Sequence, residues 1–175
     1  MQIHEAGSSL RGRDRVWAAL DAFRIEIPSW GFANTGTRFG KFSQAAAAST
    51  IEEKFADAAQ VHALTGVSAV MALHVQWDLP QGVADVPAIR RLEQQYGIRA
   101  GSINPNLFQN QEYKFGSICN PDAEVRQMAL NHLLQSVEIG RQLGSRDVSL
   151  WVSDGSNYPG TQSMRRRIGL SLIHI

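Results

Sequence analysis

The sequence predicts an α/β fold, namely the N-terminal half of a (β/α)8 TIM barrel with about four β/α units, truncated. First, apolar strand-like runs alternate with amphipathic helix-like stretches, which is typical of crossovers around a parallel sheet. Second, long polar loops follow the strands, whereas a single glycine follows each of the three later helices. Third, the 175 residues fall short of the roughly 250 residues of a complete barrel.

The chain opens with a helix and a strand. Residues 13–22 carry large apolar side chains at helical spacing, so they predict a short amphipathic helix. Residues 23–28 alternate apolar and polar side chains, which predicts a strand that Pro28 ends. The stretch 29–40 is too rich in glycine for a helix and too long for a tight turn, so it predicts a functional loop.

A capping box marks the next helix. Thr50 is followed three residues later by Glu53, so their side chains can accept hydrogen bonds from each other's exposed backbone amides. An apolar stripe follows, and Gly66 predicts the C-terminal end of this helix. The apolar run 69–75, which includes His74, then predicts a buried strand.

Two further helices and two further strands complete the pattern. Each helix begins at a capping residue with a proline close behind it, and each ends at a glycine. In chain order these elements are a helix between Asp85 and Gly97, a strand over 98–103, a helix between Asn120 and Gly144, and a strand over 147–152.

The end of the sequence departs from this pattern. Residues 163–167 look like the opening of another amphipathic helix, but residues 168–175 switch to an apolar, strand-like string. We therefore expect a partial barrel over 1–167 and a non-native tail over 168–175. On this interpretation the chain is a piece of a longer protein.

Composition excludes several classes of function. Hydrophobic residues make up 43% of the chain, so a sizeable core is expected. A net charge of +1 offers no basic footprint for nucleic acid, and no apolar run approaches the roughly 20 residues that span a membrane. The single cysteine, Cys119, excludes an intrachain disulfide and a cysteine-rich zinc site. A reducing, cytoplasmic setting is expected.

Polar and aromatic residues at the predicted strand ends indicate a polyol site. His74 ends one strand, Trp77 and Asp78 lie just beyond it, and Trp151 lies in the fourth strand. Because ligands of parallel α/β proteins bind outside the carboxyl ends of the strands, these residues should meet at one rim. The tryptophans would offer flat apolar walls, and His74 and Asp78 would offer directional hydrogen bonds.

Five motifs spread from about residue 23 to residue 167 support a family resemblance as a set. They are Ile27-Pro28-Ser29-Trp30-Gly31, Gly36-Thr37-Arg38-Phe39, Leu73-His74-Val75-Gln76-Trp77-Asp78, Tyr113-Lys114-Phe115-Gly116-Ser117, and Trp151-Val152-Ser153-Asp154-Gly155-Ser156-Asn157-Tyr158-Pro159-Gly160. This set resembles the bacterial L-rhamnose isomerase family, within the xylose-isomerase-like TIM barrels.

The resemblance implies an aldose–ketose isomerase that interconverts L-rhamnose and L-rhamnulose, and other aldoses, by a metal-assisted hydride shift. It implies Mn²⁺ or another divalent metal in the parent protein, a small aldose or ketose as ligand, and a homotetramer. The metal ligands would lie in the missing C-terminal half. We therefore expect no metal site in this chain and no activity from the fragment alone.

The resemblance also implies roles for five residues. His74 would be catalytic, bonding the sugar and assisting ring opening. Trp77 and Trp151 would bind the sugar, Trp30 is a further candidate, and Phe39 would reach into a neighbouring subunit's site. The residue types alone leave core packing of the tryptophans and a buried, structural His74 open. Phe39 could equally anchor the loop on its own barrel.

Two other functions also stay open. An endonuclease-IV-like phosphodiesterase with zinc ions would need a basic groove and more histidines at the rim. A non-catalytic sugar-binding or interaction module, complete at this length, would bind a monosaccharide even in the presence of a chelator. Lys114 and Asp154 lie in the motifs, but the sequence assigns neither of them a role.

Overall fold

The protein is described from a computed structural model, which covers residues 6–34, 36–37, 40–152 and 163–172. Helices and strands alternate through most of these ranges. In chain order they are α1 (Ala6–Asp21), β1 (Glu26–Pro28), β2 (Gly36–Thr37), β3 (Gly40–Lys41), α2 (Ile51–Thr65), β4 (Val70–His74), α3 (Val75–Asp78), α4 (Val86–Tyr96), β5 (Arg99–Asn104), α5 (Ala123–Leu143) and α6 (Met164–Leu172).

Three parallel strands form the main sheet, in the order β1-β4-β5. Ile27 lies opposite Met71, and Met71 lies opposite Ala100. At the carboxyl end, His74 lies opposite Asn104. The register therefore brings the ends of all three strands to one edge of the sheet, while β2 and β3 form a separate antiparallel pair.

The helix ends follow the capping signals in the sequence. The Thr50 hydroxyl accepts a hydrogen bond from the Glu53 amide at 3.2 Å, and the Glu53 carboxylate accepts one from the Thr50 amide at 3.0 Å. Gly66, Gly97 and Gly144 end α2, α4 and α5 with φ of 73°, 68° and 74°. This left-handed conformation is one that glycine adopts without steric cost. The predicted capping box and all three glycine stops are confirmed.

The start of α5 differs from the prediction. Asp122, not Asn120, is the N-cap, and its carboxylate accepts a hydrogen bond from the Glu124 amide at 2.9 Å. The Asn120 side chain instead donates to the Gly116 carbonyl at 2.6 Å and accepts from the Asp122 amide at 3.0 Å. Asn120 therefore stabilises the turn that precedes the helix.

The hydrophobic core joins the sheet to α2, α4 and α5. Its members come from the apolar stripes of these helices and from the strands, with nearly complete burial. They are Phe55, Ala58, Met71, Leu73, Val75, Leu79, Val86, Ile89, Ile98, Ala100, Ile103, Ile139 and Leu143. Because β4 lies between β1 and β5, both of its edges are shielded from solvent. His74 therefore lies at the end of the most buried strand.

The prediction of half a TIM barrel with four β/α units is wrong. In the part of the chain that the structure describes, the parallel sheet has three strands, flanked by helices in a small α/β domain. The predicted fourth strand makes only an isolated bridge, between Ile103 and Val148. Two hydrogen bonds hold it, from the Ile103 amide to Asp147 and from the Ser149 amide to Ile103, and pairing goes no further.

The final helix crosses a predicted boundary. Residues 168–172 continue α6 rather than forming a strand-like string, so the switch in structure expected at residue 168 is absent. The foreign origin of residues 168–175 stays a prediction. Among the helices in the described ranges, none is both long and apolar enough to cross a membrane.

Removing the Thr50 cap should destabilise the domain. Thr50→Ala deletes the side-chain acceptor for the Glu53 amide, which should lower the free energy of unfolding by about 1 kcal/mol. Urea denaturation followed by circular dichroism measures this change. Ser49→Ala is the matched control, since this neighbouring exposed serine contributes its backbone amide to the cap. Equal midpoints for the two variants would contradict the capping role.

Candidate functional site

An aromatic pocket lies at the carboxyl edge of the sheet. It encloses about 270 Å³ and opens where the segments after β1, β4 and β5 approach the chain near residue 150. Most of its wall is aromatic. The lining residues are Trp30, His74, Trp77, Asn104, Pro105, Phe108, Ser149 and Trp151.

His74 lies at the centre of a continuous cluster of rings. Its imidazole stacks on Trp77, with centroids 3.6 Å apart and planes 15° from parallel. Trp30 and Phe108 meet the imidazole edge-on, with ring centroids 6.1 Å and 6.0 Å from its own. The ring of Phe108 in turn packs against that of Trp151, with centroids 4.5 Å apart. The cluster therefore runs across the carboxyl edge from Trp30 to Trp151.

The structure brings four of the five candidate site residues together in this pocket. They are His74, Trp77, Trp151 and Trp30. Phe39 lies outside the described residues, and so does Asp154. Lys114 is exposed and does not line the pocket, and its ammonium lies 5.0 Å from the Phe115 ring centroid. The roles of the candidates in binding and catalysis stay predictions.

His74 is a buried imidazole without a polar partner. The residue is 3% exposed, and neither ring nitrogen has a hydrogen-bond partner in the described part of the chain. Burial lowers the pKa of His74 to about 4, although the nearby Asp78 carboxylate opposes this shift. The ring is therefore neutral at pH 7, so one nitrogen can donate and the other can accept a hydrogen bond.

Access to His74 depends on the rings that cover it. Both ring nitrogens are shielded from water, so a ligand can reach them only after a covering ring moves. Trp77 stacks directly on the imidazole yet is 41% exposed. Its indole N–H donates to the Gln109 side chain at 3.0 Å. Trp77 is therefore the ring that an entering ligand would displace.

Asp78 lies beneath the pocket rather than in its wall. Its Oδ1 accepts a hydrogen bond from Lys54 Nζ at 2.7 Å. Its Oδ2 accepts from the Ser29 hydroxyl at 2.5 Å and from the His74 backbone N–H at 2.7 Å. The side chains of Lys54 and Asp78 are 8% and 0% exposed. With three protein donors on its carboxylate, Asp78 is unavailable to a sugar in this structure, contrary to the sequence-based expectation.

The loop after β5 is bonded to a second histidine, the partly buried His132 of α5. The Asn106 backbone N–H donates to His132 Nε2 at 2.9 Å, and burial lowers the pKa of His132. The neutral ring can accept this bond, since the protonated ring has no free acceptor. The Asn106 side chain also donates to Gln109 at 3.3 Å. His132 thus supports the loop that carries Phe108 and Gln109.

The described residues do not form a cage for a metal ion. Among them, no group of three or more His, Cys, Asp or Glu side chains could hold one. A divalent cation at Asp78 would also lie beside the Lys54 ammonium, which already occupies the same carboxylate. The side chains present therefore do not fit the Mn²⁺ pair that the family resemblance implied.

Two contributors to the site were not predicted from the sequence. Phe108 follows β5 much as Trp77 follows β4, so its position after a strand was a usable signal. Lys54 is three residues after Ile51 and four before Ala58, which places it on the apolar face of α2. A lysine in the middle of an apolar stripe was the signal for a buried ion pair.

In sequence, the chain is similar to proteins named "probable sugar isomerase". It is 35% identical over 158 residues to one from Mesorhizobium japonicum and 36% identical over 158 residues to one from Rhizobium meliloti. Each match covers 87% of this chain and 36% of the relative, so the chain spans little more than a third of these relatives. No protein-family model matches the chain.

In structure, the chain is similar to the apo form of 3-keto-D-glucoside 4-epimerase from E. coli. The TM-score is 0.54 at 12% identity, and the match covers 85% of this chain and 47% of the epimerase. A likeness at this identity shows the fold alone. These comparisons overturn the L-rhamnose isomerase resemblance, because the sequence relatives carry a broader name and the matching fold is that of an epimerase.

The buried His74 should make stability depend on pH. Its pKa falls from 6.5 to about 4 on folding, so between these values the unfolded chain binds more protons. The free energy of unfolding should therefore decrease as the pH falls through this window, by up to about 3 kcal/mol from this residue. Urea melts at several pH values should show a shallower dependence for His74→Gln. Equal pH slopes for both proteins would contradict the assignment.

Proposed function

We propose that this chain forms the sugar-binding wall of an isomerase or epimerase that acts on a monosaccharide. The observation that carries the proposal is the buried, unpartnered imidazole of His74 at the centre of an aromatic pocket. The names of the sequence relatives support the sugar as substrate class. Because the chain covers only part of those relatives, turnover is proposed for the longer protein.

The pocket fits a monosaccharide in size and chemistry. Its volume of about 270 Å³ is just below the roughly 300–1,000 Å³ of pockets for drug-sized ligands. Sugars present apolar C–H faces that pack on aromatic rings and hydroxyl edges that need polar partners. Trp30, Trp77 and Trp151 offer the rings, and His74 and Asn104 offer polar atoms.

His74 would supply both binding and proton transfer. A neutral imidazole can accept the proton of a sugar hydroxyl at one nitrogen and donate its own proton from the other. Such an exchange at the anomeric hydroxyl and the ring oxygen would open a cyclic sugar. The sugar would at the same time give the buried ring nitrogens the partners that they lack.

A binding role without turnover is the second candidate. Among the eight described lining residues, His74 has the one side chain that can act as an acid or a base. An isomerase needs a further acid–base or polarising group, which would have to come from beyond this wall. A phosphodiesterase is not favoured, since the described lining contains no lysine or arginine to bind a phosphate.

A monosaccharide titration tests the sugar site. Aldoses and ketoses, added one at a time, should change the tryptophan fluorescence of the chain in a saturable way. His74→Gln should weaken the affinity by about ten-fold, because the imidazole partner of the sugar is lost. Trp17→Phe is the matched control, as it removes an exposed tryptophan on α1 that does not line the pocket.

Two results would contradict this function. One is that no aldose or ketose changes the tryptophan fluorescence in a saturable way, even at concentrations high enough to fill a weak sugar site. The other is an unchanged affinity in a folded His74→Gln variant. If the longer protein binds the sugar but does not interconvert sugars, as measured by chromatography, the binding role without turnover would be favoured.

A further inference from the structure

We propose that Lys54 is a positioning residue of the aromatic pocket, acting through the Asp78 carboxylate. The proposal deepens the proposed function, on which its sugar-binding readout rests. Lys54 lies on α2 and does not line the pocket, so it would not contact a bound sugar. Its ammonium instead donates to Asp78 Oδ1 at 2.7 Å, and both side chains are almost completely buried.

One carboxylate connects the three segments that carry the central rings. Ser29, which bonds Asp78 Oδ2, directly precedes Trp30. His74 bonds the same oxygen through its backbone N–H. Asp78 itself directly follows Trp77 in the chain. The position of Asp78 therefore decides how these three rings meet, with Trp30 6.1 Å from both of the other two.

Lys54 provides the positive charge that keeps this carboxylate buried. A buried carboxylate persists only when it is both paired with a cation and hydrogen-bonded. Within the described ranges, Lys54 is the one cation at ion-pair distance from Asp78. Without it, the carboxylate would take up a proton or move toward water, and either change would alter its bonds to Ser29 and His74 and so shift both segments.

The placement of Lys54 in the helix supports this role. Lysine is rarely buried, because its ammonium is strongly hydrated. Here it is 6% exposed on the face of α2 that otherwise carries core residues such as Phe55 and Ala58. A helix that needed only a packed core would carry an apolar residue at this position. The lysine is accounted for by the carboxylate that it meets.

The test compares Lys54→Met with a matched control. Methionine keeps the length and apolar stem of lysine but removes the charge. In the folded variant, the near-ultraviolet circular dichroism of the tryptophans should be lost in large part, and the affinity for the sugar should fall about ten-fold. Lys114→Met removes an exposed lysine outside the pocket, and both readouts should match those of the unmodified chain.

A double variant separates positioning from general stability. Lys54→Met combined with Asp78→Asn leaves no uncompensated buried charge, so it should recover the tryptophan signal relative to Lys54→Met alone. If Lys54→Met alone fails to fold, the double variant still tests the proposal, because its tryptophan spectrum can be compared with that of the unmodified chain. A tryptophan spectrum that is unchanged in folded Lys54→Met, or not recovered in the double variant, would overturn the proposal.

The two readouts keep this proposal distinct from the proposed function. If the unmodified chain binds no sugar but Lys54→Met alters the tryptophan spectrum, the sugar site fails and the positioning role stands. If the sugar binds equally well to both proteins and the spectra agree, the sugar site stands and the positioning role fails.

Discussion

The buried ion pair between Lys54 and Asp78 joins the parts of the fold that carry the site. Helix α2 contributes the cation, the segment after β4 contributes the carboxylate, and the segment after β1 contributes the Ser29 hydroxyl. Each of these groups would be unfavourable in the core if it were alone. Together they satisfy one another, and the backbone N–H of His74 completes the set. Polar contacts thereby stabilise the carboxyl edge of the sheet, while the hydrophobic core stabilises the rest of the sheet.

The aromatic pocket lies above this polar anchor and has the opposite character. Its rings exclude water from His74 and thereby keep the imidazole neutral at physiological pH. A buried imidazole with both nitrogens unpartnered is costly in a folded protein. Under the proposed function, that cost would be recovered when a sugar brings its hydroxyl groups to the ring. Trp77 is both wall and cover, since it stacks on the imidazole and also reaches the solvent.

Local signals in the sequence predicted the helices well and the sheet less well. Capping residues and glycine stops act within one turn of a helix, so Thr50 and Gly66 could be interpreted without knowledge of the tertiary structure. Strand pairing depends on distant partners, and the predicted strand over 147–152 proved to be a single bridge. The convergence of His74 with the tryptophans was predictable from strand ends. The burial of Asp78 was not, because its cation lies on another element. Family motifs carried the prediction too far, toward one named sugar. The alternation of strand-like and helix-like stretches carried it toward a half barrel, because the fourth strand-like stretch forms only a bridge.

The central claim is that a monosaccharide supplies the missing hydrogen-bond partners of a neutral, buried His74. The most direct measurement is the ¹⁵N chemical shift of the two ring nitrogens of His74, recorded by nuclear magnetic resonance with and without the sugar. The account predicts one protonated and one unprotonated nitrogen at pH 7, and a saturable shift of both when the sugar binds. A doubly protonated ring at pH 7 would contradict it. So would ring-nitrogen chemical shifts that stay unchanged although the sugar binds to the chain.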